Sequence, residues 1–293
     1  MSEKPKSNLV LDAVRYIELH LDEDLNPSLV ATQIGYSEFH FHRIFLAALG
    51  ESVSEYIRRR RLHEAARRLV QGDESIMNLA LRCKFESQEA FTRAFKKQFG
   101  ETPGRFRKQI LESFGPAKTG LKEATQKTCW RDMEMECKIV SREAEYAIGM
   151  GGSFIPKSVP AINALWNRFL SRSGEIKQSK AGLALGICCN AHPDLKKEND
   201  ECIIYVAALP VEHFDEIDLP EGMLVCKLEA GRYAVFTHKG PLRNLPESIN
   251  YIWGEFIPNS NFKFRDAPDF ELYDERFDPD KLDGEIDIYV PIE

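Results

Sequence analysis

The segment FHRIF at Phe41 to Phe45 returns fifty residues later as FTRAF at Phe91 to Phe95, and its surroundings return with it. At the same offset Ser37 matches Ser87, Arg43 matches Arg93, Gly50 matches Gly100, Glu51 matches Glu101 and Tyr56 matches Phe106. Agreement of this length in both residue type and spacing constrains the first hundred residues to a duplicated helical unit. In each copy a short helix ending in Val30-Ala31 or Leu79-Ala80 leads through a turn into a second, amphipathic helix, the pattern of a helix-turn-helix. A chain with two such units is expected to read duplex DNA.

The second helix of each unit supports that expectation. Ser37 and Ser87 stand where an N-cap hydroxyl accepts the orphan N–H groups of the first turn. Phe41, Ile44, Phe45 and Ala48 then fall at i, i+3, i+4 and i+7 and share a buried stripe, as do Phe91, Ala94, Phe95 and Phe99. The remaining face holds Phe39, His42 and Arg43 in the first copy and Gln88, Glu89, Thr92 and Arg93 in the second. These groups can read base edges. Arginine donates a bidentate pair to guanine, glutamine pairs with adenine, glutamate accepts from cytosine, and Phe39 or the Thr92 methyl meets a thymine methyl. A solvated helix face would show the same polarity, but the arginine kept in phase across the duplication favours DNA.

Between the units runs SEYIRRRRLHEAARRLVQG, a helix pattern from about Ser54 to Gln71 closed by Gly72-Asp73. Such a rod is roughly 27 Å long at ~1.5 Å per residue, suited to holding two recognition helices near the ~34 Å repeat of the major groove. Of Arg58 to Arg61, some are expected at phosphate and others paired with Glu55 or Glu64 at helical spacing.

Leu9 to Lys108 resembles the DNA-binding domain of AraC/XylS-type transcription regulators. The resemblance is carried by Ala31, Gly35-Tyr36-Ser37, Phe41-His42-Arg43, Phe45, Gly50, Tyr56 and Arg59 to Leu62. It continues in Ile76, Ala80, Phe85, Ser87, Phe91-Thr92-Arg93, Phe95, Gly100, Thr102-Pro103 and Arg107. It implies an all-α double helix-turn-helix in which Phe39, His42, Arg43, Gln88, Glu89, Thr92 and Arg93 enter adjacent major grooves. A transcriptional activator working with RNA polymerase is the implied function. One departure is Lys84, where the family usually has glycine before Phe85; a left-handed lysine there is strained by roughly 1 kcal/mol.

The formal net charge of −7 hides a division of labour. Residues 39–108 hold 15 Lys and Arg against 8 Asp and Glu, a net +7, while residues 116–293 hold 21 against 30, a net −9. The second part should be repelled by phosphate and needs another job. No apolar run approaches the ~18 residues needed to cross a bilayer and the first residues start no secretory signal, so a cytoplasmic protein is expected. Seven cysteines show no metal-ligand spacing and are expected to be reduced, with no metal or cofactor. Redox sensing by the neighbours Cys188 and Cys189 would need exposure and a lowered pKa.

SFGPAKTGLKEATQKTC, with Gly115-Pro116 and Gly120, reads as a linker, placing a DNA-binding domain at 1–112, a linker at 113–130 and a second domain at 131–293. Within the latter a second duplication has an offset of 87. Tyr146-Ala147 matches Tyr233-Ala234, Ile162-Asn163 matches Ile249-Asn250, Trp166 matches Trp253 and Phe169 matches Phe256. Each copy reads as a strand, a loop, a helix carrying the tryptophan and two further strands. The whole is an α+β domain with an antiparallel sheet under two helices and pseudo-twofold symmetry.

This half resembles the gyrase-inhibitor-like effector-binding domain attached to AraC-type and other regulators. The resemblance implies a small-molecule effector, in some members a lipophilic cation received by a buried glutamate among aromatic rings. The matching stretch is PDFELYDERF, where Glu271 and Tyr273 share one strand face and Phe270 and Leu272 the other. With Trp166 and Trp253 these form the candidate ligand site, although the tryptophans could equally be core residues and Glu271 solvated. Some stand-alone relatives are hydrolases with a Trp, Tyr and Glu set, so Trp253, Tyr273 and Glu271 acting on an electrophile is an alternative, as is a protein-interaction module. No Ser-His-Asp, Cys-His or phosphate-loop pattern accompanies them; His192, His213 and His238 read as scattered surface or capping residues.

Overall fold

The computed structural model describes residues 9–71, 74–114, 135–155, 159–199, 202–213, 219–278 and 283–293. Most of the expected linker 113–130 lies outside them. The chain divides into two compact units, Met1–Thr128 and Cys129–Glu293.

The described residues of the first unit form seven helices: α1 (Leu9–Leu19), α2 (Pro27–Gln33), α3 (Glu38–Leu49), α4 (Val53–Gln71), α5 (Ile76–Arg82), α6 (Gln88–Phe99) and α7 (Pro103–Phe114). The duplication is visible in the packing. Phe45 meets Tyr56 edge-on at 5.5 Å, and fifty residues on Phe95 meets Phe106 edge-on at 5.4 Å. Both recognition helices end on a left-handed glycine, Gly50 at φ 72° and Gly100 at φ 81°. That conformation suits glycine, which has no Cβ to clash. The turn inside each unit also repeats. Tyr36 donates its N–H to the Ala31 carbonyl and Phe85 to that of Ala80, both at 3.0 Å, across Gly35 at φ 78° and Lys84 at φ 58°. Lys84 is therefore the left-handed lysine that the departure from glycine anticipates.

Helix α4 packs Leu62, Ala65, Ala66 and Leu69 against Leu79, Phe91 and Phe95. Its arginines do not pair as the helical spacing suggests. Arg59 grips Glu51 in the turn before the helix, and Arg60 makes a two-pronged bond to Glu18 of α1. Arg61 donates to the carbonyls of Leu21 and Glu23, leaving Arg58 as the exposed member of the run. Glu64 pairs instead with Arg67 and Arg68. Glu55 is occupied in a capping box with Ser52, each side chain bonding the other's backbone N–H. The long guanidinium arms reach backbone carbonyls and a carboxylate distant in sequence, bonds that local spacing does not reveal.

The second unit is an eight-stranded antiparallel sheet of order β1-β6-β8-β7-β3-β4-β2-β5. Its strands are β1 (Cys137–Arg142), β2 (Glu145–Phe154), β3 (Ala184–Cys189), β4 (Ile203–Val211), β5 (Leu224–Leu228), β6 (Gly231–Lys239), β7 (Asp269–Tyr273) and β8 (Glu285–Ile292). Reversing that order exchanges the two halves, so the pseudo-twofold axis passes between β3 and β7. Each half carries one strand more than the sequence pattern suggests, namely β1 and β5. Each lies in the other half's sheet, β1 on β6 and β5 on β2.

Two residues join β1 to β2, yet these strands lie toward opposite ends of the sheet order. The sheet must therefore curl until its ends approach. The curl explains why the face with Leu185, Ile187, Ile204, Val206, Cys226, Tyr233 and Phe270 forms one buried cluster. On the other face lie α8 (Val159–Leu170) and a helix that begins as α9 (Leu245–Tyr251), passes through a π-turn at Ile252–Phe256 and ends as α10 (Ile257–Asn259).

Candidate functional site

The helix-turn-helix units bring the expected DNA-reading side chains to differing fates. On α6, Ser87 caps the helix by accepting from the Ala90 N–H at 3.1 Å. This cap leaves Gln88, Glu89 and Arg93 exposed and Thr92 half-buried. Glu89's own backbone N–H and the Ser87 hydroxyl hold its carboxyl below the usual range, so it presents an acceptor to whatever α6 meets.

On α3 the expectation fails in part. Phe39 and His42 are buried, at 4% and 6% exposure, rather than facing outward. The Phe39 ring lies 5.5 Å from that of His40, and the Arg43 guanidinium sits 5.8 Å above it. An aromatic ring in the first turn gains more from this cover than from water. The Ser37 hydroxyl shares a 2.7 Å hydrogen bond with His40 Nδ1 and makes no side-chain cap bond. Burial, and then the charge of Arg43, push His40 down to about 4. Arg43 itself is half-buried.

In the second unit a polar cluster forms on the sheet face under α8. Glu271, 7% exposed, accepts on Oε2 from the Tyr205 and Tyr273 hydroxyls, both at 2.9 Å. Tyr205 in turn accepts from the Trp166 indole N–H at 3.0 Å, and the Trp166 and Tyr273 rings meet edge-on at 5.3 Å. Burial, with the Glu271 charge next, holds both tyrosines well above the usual phenol range, so they remain donors. The register explains the gathering. Gly186 of β3 faces Glu271 of β7, and Cys188 faces Tyr205. The absent side chain at Gly186 is what lets Tyr205 reach across: a Cβ there would lie 2.2 Å from the Tyr205 hydroxyl and 2.5 Å from Glu271 Oε2.

Of the expected ligand residues, Trp166, Glu271 and Tyr273 are thus brought together. Trp253, 1% exposed, sits in the π-turn with its ring 6.2 Å from Phe264. Tyr205 was not anticipated, because it lies in a continuous apolar run without alternation. The available signal was a lone hydroxyl in that run, which needs a partner when buried. His238 is also a correction, being 2% exposed with Nδ1 2.8 Å from the Ser248 hydroxyl rather than at the surface. Cys188 and Cys189 are buried, and burial pushes the Cys189 thiol up to about 12, far from a reactive thiolate. Among the described residues no group of three or more His, Cys, Asp and Glu could hold a metal, and no helix is long and apolar enough to cross a membrane.

Known proteins share this architecture. Residues 30–109 match the model of a helix-turn-helix domain, and residues 135–293 that of a GyrI-like small molecule binding domain. The chain is 30% identical over 280 residues to the transcriptional regulator Rob of Salmonella typhimurium, covering 92% of this chain and 91% of that one. The figures are the same for the right origin-binding protein of Escherichia coli. It is also 33% identical over 165 residues to the transcriptional regulator BrlR of Pseudomonas aeruginosa, spanning 56% and 57% of the two chains. With both domains matched in this order and the likeness running almost end to end, the chain belongs to the family of AraC-type helix-turn-helix transcription regulators that carry a GyrI-like small-molecule-binding domain.

Proposed function

We propose that this regulator is a cytoplasmic activator that senses a lipophilic organic cation through Glu271 and acts on promoters with RNA polymerase. The DNA reader lies within 1–112, the sensor within 131–293, and 113–130 joins them. The observation that carries the sensing role is the buried Glu271 carboxylate set among Trp166, Tyr205 and Tyr273. Aromatic faces and a carboxylate together suit an organic cation that has left water, and the same wall disfavours an anion. The matched domain's description as small molecule binding supports this reading, as does the surplus of carboxylates in this half.

Titration of tetraphenylphosphonium into the full chain, followed by tryptophan fluorescence, tests it. Glu271→Gln keeps size and loses charge, so affinity for the cation should fall by about 2 kcal/mol or more, as for a desolvated charged partner. Equal affinity of wild type and variant would remove Glu271 from the site. Chemical conversion of the bound compound by purified protein would favour an enzyme over a sensor.

A further inference from the structure

Four consecutive residues in the loop between α1 and α2, Leu21 to Asp24, are each held by a side chain from elsewhere in the fold. The partners alternate. Arg61 of α4 donates to the carbonyls of Leu21 at 2.9 Å and Glu23 at 2.6 Å. The Asp22 carboxylate meets Arg68 at 3.3 Å and Arg82 at 4.0 Å, and that of Asp24 meets Lys84 at 3.0 Å. Arg82 ends α5 and Lys84 stands in the turn before α6, so the loop leading into the first helix-turn-helix unit is bound to the second.

Arg61 faces both ways. Its carbonyl accepts the buried Cys83 thiol at 3.3 Å, next to Lys84 in that same turn. On the other side the loop runs into α2 through Asn26, whose side chain caps the helix by accepting the Leu29 N–H at 2.8 Å. A shift of the loop is thereby a shift of α2 and, across the Ala31 to Tyr36 turn, of α3. Helix α4 sets how far apart the two units stand, but a long helix bends, and contacts away from its axis are what hold the angle. The carboxylate pairs are exposed and contribute little energy. They still fix position, and the charge-assisted bonds of the half-buried Arg61 are both directional and less screened. The lysine at a left-handed position gains a role from this, since a glycine there could not reach Asp24.

We propose that Arg61 and Lys84 are positioning residues that brace the two helix-turn-helix units against each other and so set the half-site spacing that the protein accepts. This rests on the reading that both units engage DNA, and adds to it what holds their geometry.

The test uses the full chain and a duplex that it selects from a random pool, with footprinting to locate the two half-sites. Two base pairs inserted between them turn one half-site by roughly 70° and carry it about 7 Å along the axis. The unmodified chain should bind the inserted duplex at least about tenfold more weakly, whereas Arg61→Ala should lose no more than about threefold, because unbraced units can follow the displaced half-site. Lys84→Gly should fall between them. That variant also sheds the strain of a left-handed lysine, so it loosens the spacing without lowering stability, a separation that a merely structural contact would not give. Arg58→Ala, exposed on the same helix, should weaken binding to both duplexes alike. Thermal unfolding of each variant checks that the fold is kept. An unchanged spacing penalty in folded Arg61→Ala and Lys84→Gly overturns the brace; should Arg61→Ala fail to fold, Lys84→Gly decides alone. Absence of any penalty in the unmodified chain would instead overturn the engagement of DNA by both units.

Discussion

Lys84 holds a backbone conformation, φ 58°, that its counterpart Gly35 adopts without a side-chain clash. A left-handed lysine is strained by about 1 kcal/mol, and its 3.0 Å pair with Asp24, itself 88% exposed, returns little. Lys84→Gly should therefore raise stability by about 0.5–1 kcal/mol, read as a higher urea midpoint at constant slope. A fall would mean that the pair with Asp24 outweighs the strain. His40 makes a second prediction. Its folded-state pKa of about 4 lies below the ordinary 6.5, so the unfolded chain takes up the proton more readily. Stability from this group is fully present above about pH 6.5 and is lost as pH falls toward 4, by up to about 3 kcal/mol. Urea titrations across that window should show the decline, and His40→Gln should flatten it; an unchanged slope in the variant would assign it to other groups. The strained turn was legible in sequence because glycine is the ordinary residue there. The buried His40 was not, since its partner Ser37 read as an ordinary cap.

At the scale of elements, the helices follow from the 3.6-residue period and the recurring Phe, Ser and Gly positions. Strands β1 and β5 did not. Each is short and pairs with the opposite half, so no local hairpin signal announces it. The register of β3 on β7 gathers the Glu271 cluster and is equally silent in the sequence, because Gly186 and Glu271 are far apart along the chain. Gly186→Ala should force Tyr205 or Glu271 from its place, lowering stability by about 1–3 kcal/mol through overpacking. Adding Tyr205→Phe, which removes the atom nearest the new methyl, should recover part of that loss. A double variant no more stable than Gly186→Ala would show that Glu271, not Tyr205, takes the strain. The helices of the two halves also diverge: among the described residues only the second half contains a π-turn, at Ile252–Phe256.

Over the whole molecule, a basic helix-turn-helix half and an acidic second domain are separable from charge and duplication, and the fold class from the order of elements. The face of α3 was misjudged at Phe39 and His42, since helical periodicity gives direction along one helix and not what covers it. If both arginines read bases, Arg43→Ala and Arg93→Ala should each lose about 1–3 kcal/mol on a selected site and relax preference in two different half-sites. Footprinting that finds the same half-site affected by both would refute reading by two helices. The crossed placement of β1 and β5 has a consequence for ancestry. A protein made of one half alone would leave its leading strand without a neighbour, and a second copy would supply the missing edge in both directions at once. The duplicated domain thus has the form of a strand-swapped pair made continuous, in which carrying both halves on one chain makes the exchange of strands independent of dilution.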